Sequence, residues 1–194
     1  MPLKKLIAGL LAFTLSGCTP PIEKENDSAP EPDYIIDWDD CGGTVGDKAC
    51  DFTFTDQHGE PWTLYDHVGK VILLDFSAEW CGYCRVSAAI VEETQERFDP
   101  DGDEFLWVTL LVEDGSGYPP DLLAVQAWAN YYEIDVAPVL QADHSIIDAT
   151  GEAGYPVESW PMFIIVNRDM TIESGLRGWS EQLIIQMITD AIAG

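Results

Sequence analysis

The sequence predicts an α/β domain built on a mixed central sheet with helices on both faces. Three observations predict it. Lys70-Val71-Ile72-Leu73-Leu74-Asp75-Phe76 and Glu104-Phe105-Leu106-Trp107-Val108-Thr109-Leu110-Leu111-Val112 are continuous apolar runs, as strands buried on both faces require. Each run is followed by a stretch with helical patterning. The chain then closes on a strand pair and one more helix. Strand–helix–strand–helix order, followed by a hairpin and a terminal helix, leaves a mixed sheet as the packed solution.

In chain order, Asp51-Phe52-Thr53-Phe54-Thr55-Asp56 alternates like a half-buried strand. Gln57-His58-Gly59-Glu60 is a turn, and Pro61-Trp62-Thr63-Leu64 pairs back as an N-terminal hairpin. After the first central run, a helix begins near Cys81 and continues through Ser87-Ala88-Ala89-Ile90-Val91 to Phe98. Asp99-Pro100-Asp101-Gly102 ends it. After the second run, Pro120 to about Tyr132 reads as a helix with Asp121 near its start. Pro138-Val139-Leu140 is a short strand. Met162-Phe163-Ile164-Ile165-Val166-Asn167 and Thr171-Ile172-Glu173 form a hairpin around Arg168-Asp169, and Ser180 caps a last helix from Glu181 to Ala193. There is no internal repeat.

The chain has 194 residues, 46% of them hydrophobic, which is enough for a core and excludes a disordered protein. Its formal charge is −26, from nine Lys+Arg against 35 Asp+Glu. Phosphate backbones would repel it, so nucleic acid is excluded as a partner. The acidity otherwise favours solubility, and a monomer is the expectation.

Residues 1–17 read as an export signal rather than as part of the fold. Lys4 and Lys5 precede an apolar run from Leu6 to Leu15 that is too short to span a bilayer, which takes ~20 helical residues. Leu15-Ser16-Gly17-Cys18 follows and resembles the bacterial lipobox, which implies that Cys18 carries lipid and becomes the N-terminus. Thr19 after it resembles the outer-membrane sorting pattern. Residues 18–40 are rich in Pro, Glu, Asp and Ser and form a tether with a reach of roughly 25 Å. The folded domain is residues 41–194. The expected location is a bacterial envelope, with the domain facing the periplasm or the exterior.

Export changes how the remaining cysteines are read, because disulfides persist outside the cytoplasm. With Cys18 lipidated, Cys41, Cys50, Cys81 and Cys84 are left. Their spacing favours Cys41–Cys50 and Cys81–Cys84, with other pairings left open. Cys41 and Cys50 enclose a Gly-rich loop. A bridge there is structural on the first reading, and a second redox pair relaying electrons on the other.

Cys81-Gly82-Tyr83-Cys84 follows a buried strand and opens a helix. Cysteines so placed have Cα atoms roughly 5–6 Å apart, close enough to bridge. The free N–H groups of the helix start stabilise a thiolate on Cys81, which attacks a disulfide. Cys84 then resolves the mixed disulfide. Zinc is disfavoured, because no second CxxC or Cys/His pair at zinc spacing exists and His58, His67 and His144 are scattered. The reading calls for no cofactor.

Asp75-Phe76-Ser77-Ala78-Glu79-Trp80-Cys81-Gly82-Tyr83-Cys84-Arg85 closely resembles the thioredoxin active-site segment. From about residue 48 to 192 the layout resembles the TlpA/ResA-like branch of exported thioredoxin-fold oxidoreductases, with an N-terminal hairpin and a central insertion. The resemblance implies a thioredoxin-like three-layer α/β/α sandwich. It implies that Pro161, after Trp160, is a cis-proline that orients substrate. Asp75 matches a buried acid that accepts the Cys84 proton, and Trp80 covers the sulfurs. Gly82-Tyr83 departs from thioredoxin and resembles a periplasmic disulfide isomerase motif, and Trp160 is bulkier than is usual there.

The first functional expectation is a lipid-anchored oxidoreductase, a reductase first, acting on cysteine-containing exported proteins and recharged by a membrane dithiol donor. An isomerase or oxidase is the alternative within that class. A non-catalytic thioredoxin-fold binding module with a structural disulfide is the alternative outside it. A thiol peroxidase is a weaker reading, because Trp80-Cys81-Gly82 does not resemble a peroxidatic loop.

Overall fold

The structure is a computed structural model that describes residues 41–194. The signal, Cys18 and the tether lie outside the described residues. Hydrophobic alternation assigns each strand its place. β1 (Thr53–Asp56) and β2 (Pro61–Thr63) form the expected hairpin. β3 (Val71–Ala78) is buried at every position, and β4 (Phe105–Glu113) at every position but the last. These are the two apolar runs, and they pair in parallel. β5 (Val139–Gln141) pairs parallel to β4 and antiparallel to β1. β6 (Met162–Val166) and β7 (Ile172–Arg177) add the second hairpin, with β6 antiparallel to β3. The sheet order is β2-β1-β5-β4-β3-β6-β7.

Among the described residues, four α-helices follow strands: α1 (Gly82–Ala88), α2 (Val91–Phe98), α3 (Leu122–Tyr131) and α4 (Glu181–Ala193). The single helix expected from Cys81 to Phe98 is broken at Ala89-Ile90. There the Ile90 N–H bonds back only three residues, to the Ser87 carbonyl at 3.0 Å. The break leaves the buried stripe in phase: Cys84, Ser87 and Ala88 continue into Val91, Thr94 and Gln95. Asp121 caps α3 by accepting from Ala124 N at 2.8 Å. Ser180 holds the equivalent place before α4, but its side chain makes no capping bond.

The mixed sheet and both hairpins are as the sequence predicts, and the layers differ in one respect. Val71 and Leu73 of β3 face a core that also takes Val91, Val125, Trp128, Ile184 and Ile188, so all four helices pack on that side. Ile72, Leu74 and Phe76 face the other core, closed by Ala49, Leu64, Ile146, Tyr155 and Met170. That second layer is built of 3-10 turns (Leu64–His67 and His144–Ile146) and loops rather than α-helices. The reason is topological. The steps β3 to β4 and β4 to β5 move the same way across the sheet, and right-handed crossovers that do so land on one face. No helix among the described residues is long and apolar enough to cross a membrane.

Candidate active site

The dithiol sits where β3 runs out and α1 begins. Cys81 is the N-cap of α1, in extended backbone, and its Sγ accepts the Cys84 N–H at 3.1 Å. Cys81 and Cys84 are bridged, with Cα atoms 5.3 Å apart. Cys84 is fully buried, whereas Cys81 keeps 5% of its surface and lines a cleft. Of the pair, only the Cys81 side is therefore open to the cleft. An N-cap sulfur facing free N–H groups is the arrangement that favours a thiolate once the bridge opens.

Asp75 lies on β3, on the helix-covered face beneath α1. It is 1% exposed, and a carboxylate at such depth is costly unless hydrogen-bonded. Ser77 Oγ donates to Oδ1 at 2.7 Å, Ser87 Oγ to Oδ2 at 3.0 Å, and Trp107 Nε1 to Oδ2 at 3.4 Å. Burial pushes the carboxyl up to about 6, and the three donors hold it back from rising further. Ser87 sits one turn beyond Cys84 on the same buried side of α1, so the acid is tied to the helix that carries Cys84. Thr109, opposite Asp75 in the β3–β4 register, adds a buried hydroxyl with no partner.

A cleft of about 440 Å³ opens over the bridge, lined by Trp80, Cys81, Gly82, Tyr83, Val86 and Trp160. Trp80, Tyr83 and Val86 are each about half exposed or more, so the rim of the sulfur site is apolar and open. The Trp160–Pro161 peptide bond is cis, and Trp160 is in the cleft while Pro161 is buried at the start of β6. Trp80 lines the cleft beside Cys81, and its Nε1 donates to Glu113 Oε2 at 2.6 Å.

Cys41 and Cys50 are bridged as well. Cys50 is buried, and its carbonyl accepts from the Tyr155 hydroxyl at 2.9 Å. Tyr155 belongs to the core on the face away from the helices, whereas Cys81 and Cys84 belong to the core beneath them. The sheet therefore separates the two bridges. Among the described residues, no three His, Cys, Asp or Glu side chains converge as a metal would require.

The structure thus brings Cys81, Trp80 and Trp160 to one cleft with Cys84 buried behind Cys81, sets Asp75 beneath α1, and leaves Cys41–Cys50 on the opposite face. Sequence reasoning missed Ser77, Ser87, Trp107, Glu113 and His144. Ser77 and Ser87 carried a usable signal, since they lie two residues from Asp75 and three from Cys84. Glu113 and His144 reach the site only through the tertiary fold.

A family model described as the AhpC/TSA family matches residues 45–174. The chain is 29% identical over 172 residues to thioredoxin-like protein YneN of Bacillus subtilis (strain 168), covering 88% of each. It is 23% identical over 140 residues to thiol-disulfide oxidoreductase ResA of the same organism, covering 72% of this chain and 71% of ResA. Among solved structures it resembles a thiol:disulfide interchange protein DsbE from Chlorobium tepidum, with a TM-score of 0.60 at 22% identity. That match covers 78% of this chain and 99% of the other. The likeness shows a thioredoxin-like fold.

Proposed function

The chain belongs to the AhpC/TSA family and is a thiol–disulfide oxidoreductase of thioredoxin-like type; on that premise we propose that it is lipid-anchored and works on exported proteins through Cys81 and Cys84. The observation that carries the reading is the asymmetry of the pair. Cys81 lines an open apolar cleft at a helix start, while Cys84 is buried on the helix that covers Asp75, whose carboxyl burial pushes up to about 6.

As a reductase, the Cys81 thiolate attacks one sulfur of a substrate disulfide and expels the other as a thiol. Cys84 then attacks the Cys81 sulfur, which re-forms the Cys81–Cys84 bridge and releases the second substrate thiol. Asp75 takes the Cys84 proton in that second step, and Pro161 with Trp160 aligns the incoming chain. The substrate gains two electrons and the protein loses two, so a membrane dithiol donor must restore them. Cys41–Cys50 acts as a structural bridge, a role supported by its place across the sheet from the dithiol. Leu15-Ser16-Gly17-Cys18 supports attachment through Cys18. Partition into a detergent phase that is lost in Cys18→Ser checks it.

The Gly82-Tyr83 pair favours a second reading, a disulfide isomerase, and the Cys81–Cys84 reduction potential separates the two. A value near about −270 mV fits a reductase, and one near about −180 mV fits an isomerase. The oxidoreductase reading itself is tested by insulin reduction. Cys81→Ser is expected to abolish turnover, and undiminished turnover in that variant would sink the proposal.

A further inference from the structure

Helix α1 borders a second depression besides the dithiol cleft. A groove of about 300 Å³ lies between α1 and α3, lined by Glu79, Arg85, Ala127, Trp128, Tyr131 and Tyr132. α3 departs from the usual pattern of a surface helix. Val125, Trp128 and Ala129 bury one side of it, yet Leu123, Ala127 and Tyr131, four residues apart in turn, face solvent as an apolar stripe. Leu123 is 73% exposed and Tyr131 79%. Single apolar residues are ordinary on a surface, whereas a stripe that runs into a groove marks a place for a partner. Three rings wall the groove. Trp128 and Tyr132 lie 4.8 Å apart by centroid at 59°, and Tyr131 and Tyr132 lie 4.8 Å apart at 81°.

The groove is continuous with the sulfur cleft, because residues 79–86 supply both. Trp80, Cys81, Tyr83 and Val86 line the cleft, and Glu79 and Arg85 line the groove. Glu79 precedes Cys81 by two residues, so its Cα lies within about 7 Å of the Cys81 Cα. Arg85 stands one turn beyond Cys81, and its N–H donates to the Cys81 carbonyl at 3.3 Å. Trp80, between Glu79 and Cys81, is held at its Nε1 by Glu113 Oε2 at 2.6 Å, and Glu113 Oε1 meets His144 Nε2 at 2.8 Å. The chain itself engages the polar groups of the groove. Arg85 Nε donates to the Glu79 carbonyl at 2.7 Å, and Glu79 Oε2 accepts the Gly115 N–H at 2.8 Å. One acid and one base leave the groove without net charge, which favours an uncharged occupant. Its volume is at the small end for a ligand pocket and suits one side chain rather than a whole small molecule.

We propose that this groove is a second substrate subsite: it takes an aromatic side chain of the polypeptide whose cysteine is joined to Cys81. The inference rests on the oxidoreductase reading above and names a feature its substrates carry. An aromatic guest fits because tilted and edge-on ring contacts add to the apolar area buried. A polypeptide fits because cleft and groove share the 79–86 segment, and a chain extended at ~3.3 Å per residue passes from one to the other within a few residues. A small disulfide at Cys81 leaves the groove empty.

The test uses the reduced full-length protein and short Ala-rich peptides, each with one cysteine joined by a disulfide to thionitrobenzoate. A single Phe is placed in turn at each position on either side of the cysteine, against a control without Phe. The Cys81 thiolate attacks the peptide sulfur and expels coloured thionitrobenzoate, and the peptide stays joined to Cys81 until Cys84 displaces it as a thiol. In the wild type at least one Phe placement is expected to react about three- to tenfold faster than the control at subsaturating peptide. Tyr131→Ala removes one wall, and Ala127→Gln fills the groove with a good helix former and adds no charge. Each is expected to cut that advantage to below about twofold. A ratio of one at every placement in the wild type would overturn the proposal. So would an advantage that survives both substitutions, which would assign the ring to the dithiol cleft. Gel filtration of the same proteins tests a different occupant: a wild-type dimer that Ala127→Gln converts to monomer would give the face to a second copy of this chain and overturn the proposal. Insulin reduction by the wild type, measured in parallel, tests the oxidoreductase reading separately. Its absence would remove that reading, while the Phe ratios, which need only a reactive Cys81, would still decide the groove.

Discussion

Replacing Asp75 with Asn should strengthen the fold at neutral pH while weakening the catalyst. The carboxyl titrates at about 6 in the folded protein against an ordinary 3.8, chiefly because burial penalises the charged form. Each tenfold in proton concentration is worth about 1.4 kcal/mol, so ionising Asp75 costs the folded state about 3 kcal/mol more than the unfolded chain. The sign follows from the raised value. The contribution to stability is fully present below about pH 4 and is lost as pH rises through about 6. An asparagine side chain at this position stays neutral and keeps an oxygen for the Ser77 or Ser87 hydroxyl. Urea denaturation of the oxidised proteins is therefore expected to favour Asp75→Asn by about 2–3 kcal/mol at pH 8. The advantage should shrink to nothing or reverse near pH 4. Taking the difference between the two proteins cancels the many other acids of the chain. Insulin reduction should fall by about two orders of magnitude, the loss expected when a general base is removed. A stability difference that does not change between about pH 4 and 8 would refute the titration argument. Unchanged turnover would refute the proton-acceptor role.

Two further outcomes follow from neighbouring residues. Cys41→Ser with Cys50→Ser opens a loop whose ends are nine residues apart, which the chain-entropy argument values at about 2–3 kcal/mol. Urea midpoints should report that loss while the Cys81–Cys84 potential stays put, and a shifted potential would revive an electron relay. Ser87→Ala removes a donor to the ionised form of Asp75, so the acid should titrate above about 6. The loss of stability should reach about 1–2 kcal/mol at pH 8 and be smaller at pH 5, and an equal loss at both would refute it.

What the sequence revealed and what it hid divide along physical lines. β3 and β4 were legible because both of their faces are buried, so nearly every residue is apolar. The dithiol was legible because it is contiguous and follows a strand. The break between α1 and α2 was not, because Cys84, Ser87, Ala88, Val91, Thr94 and Gln95 keep one helical stripe across it. The N-cap before α4 was legible as a position, but the capping bond depends on a side-chain torsion that no pattern encodes. The one-sided helix layer needed the strand order, which apolar runs do not carry. Glu113 and His144 were hidden by distance, since Trp80 and Glu113 are 33 residues apart and Glu113 and His144 are 31 apart.

The sheet also separates two demands that conflict. On the helix-covered face, Asp75, Ser77, Ser87 and the unpartnered Thr109 put polar atoms where apolar ones would pack better. Polar atoms so placed weaken a core, and here they include a carboxyl that burial pushes up to about 6. On the other face the core is apolar at Ile72, Leu74, Phe76, Leu110 and Ile164, and the segment carrying Cys41–Cys50 is fastened to it. Tyr155 makes that attachment, through its ring against Phe76 at 5.3 Å and its hydroxyl to the Cys50 carbonyl. β3 joins the two halves, because alternate residues of one strand supply Asp75 to the first face and Phe76 to the second. A single strand that is apolar on one side can therefore carry a destabilising acid on the other, and the Cys41–Cys50 bridge lies across the sheet from Cys81–Cys84.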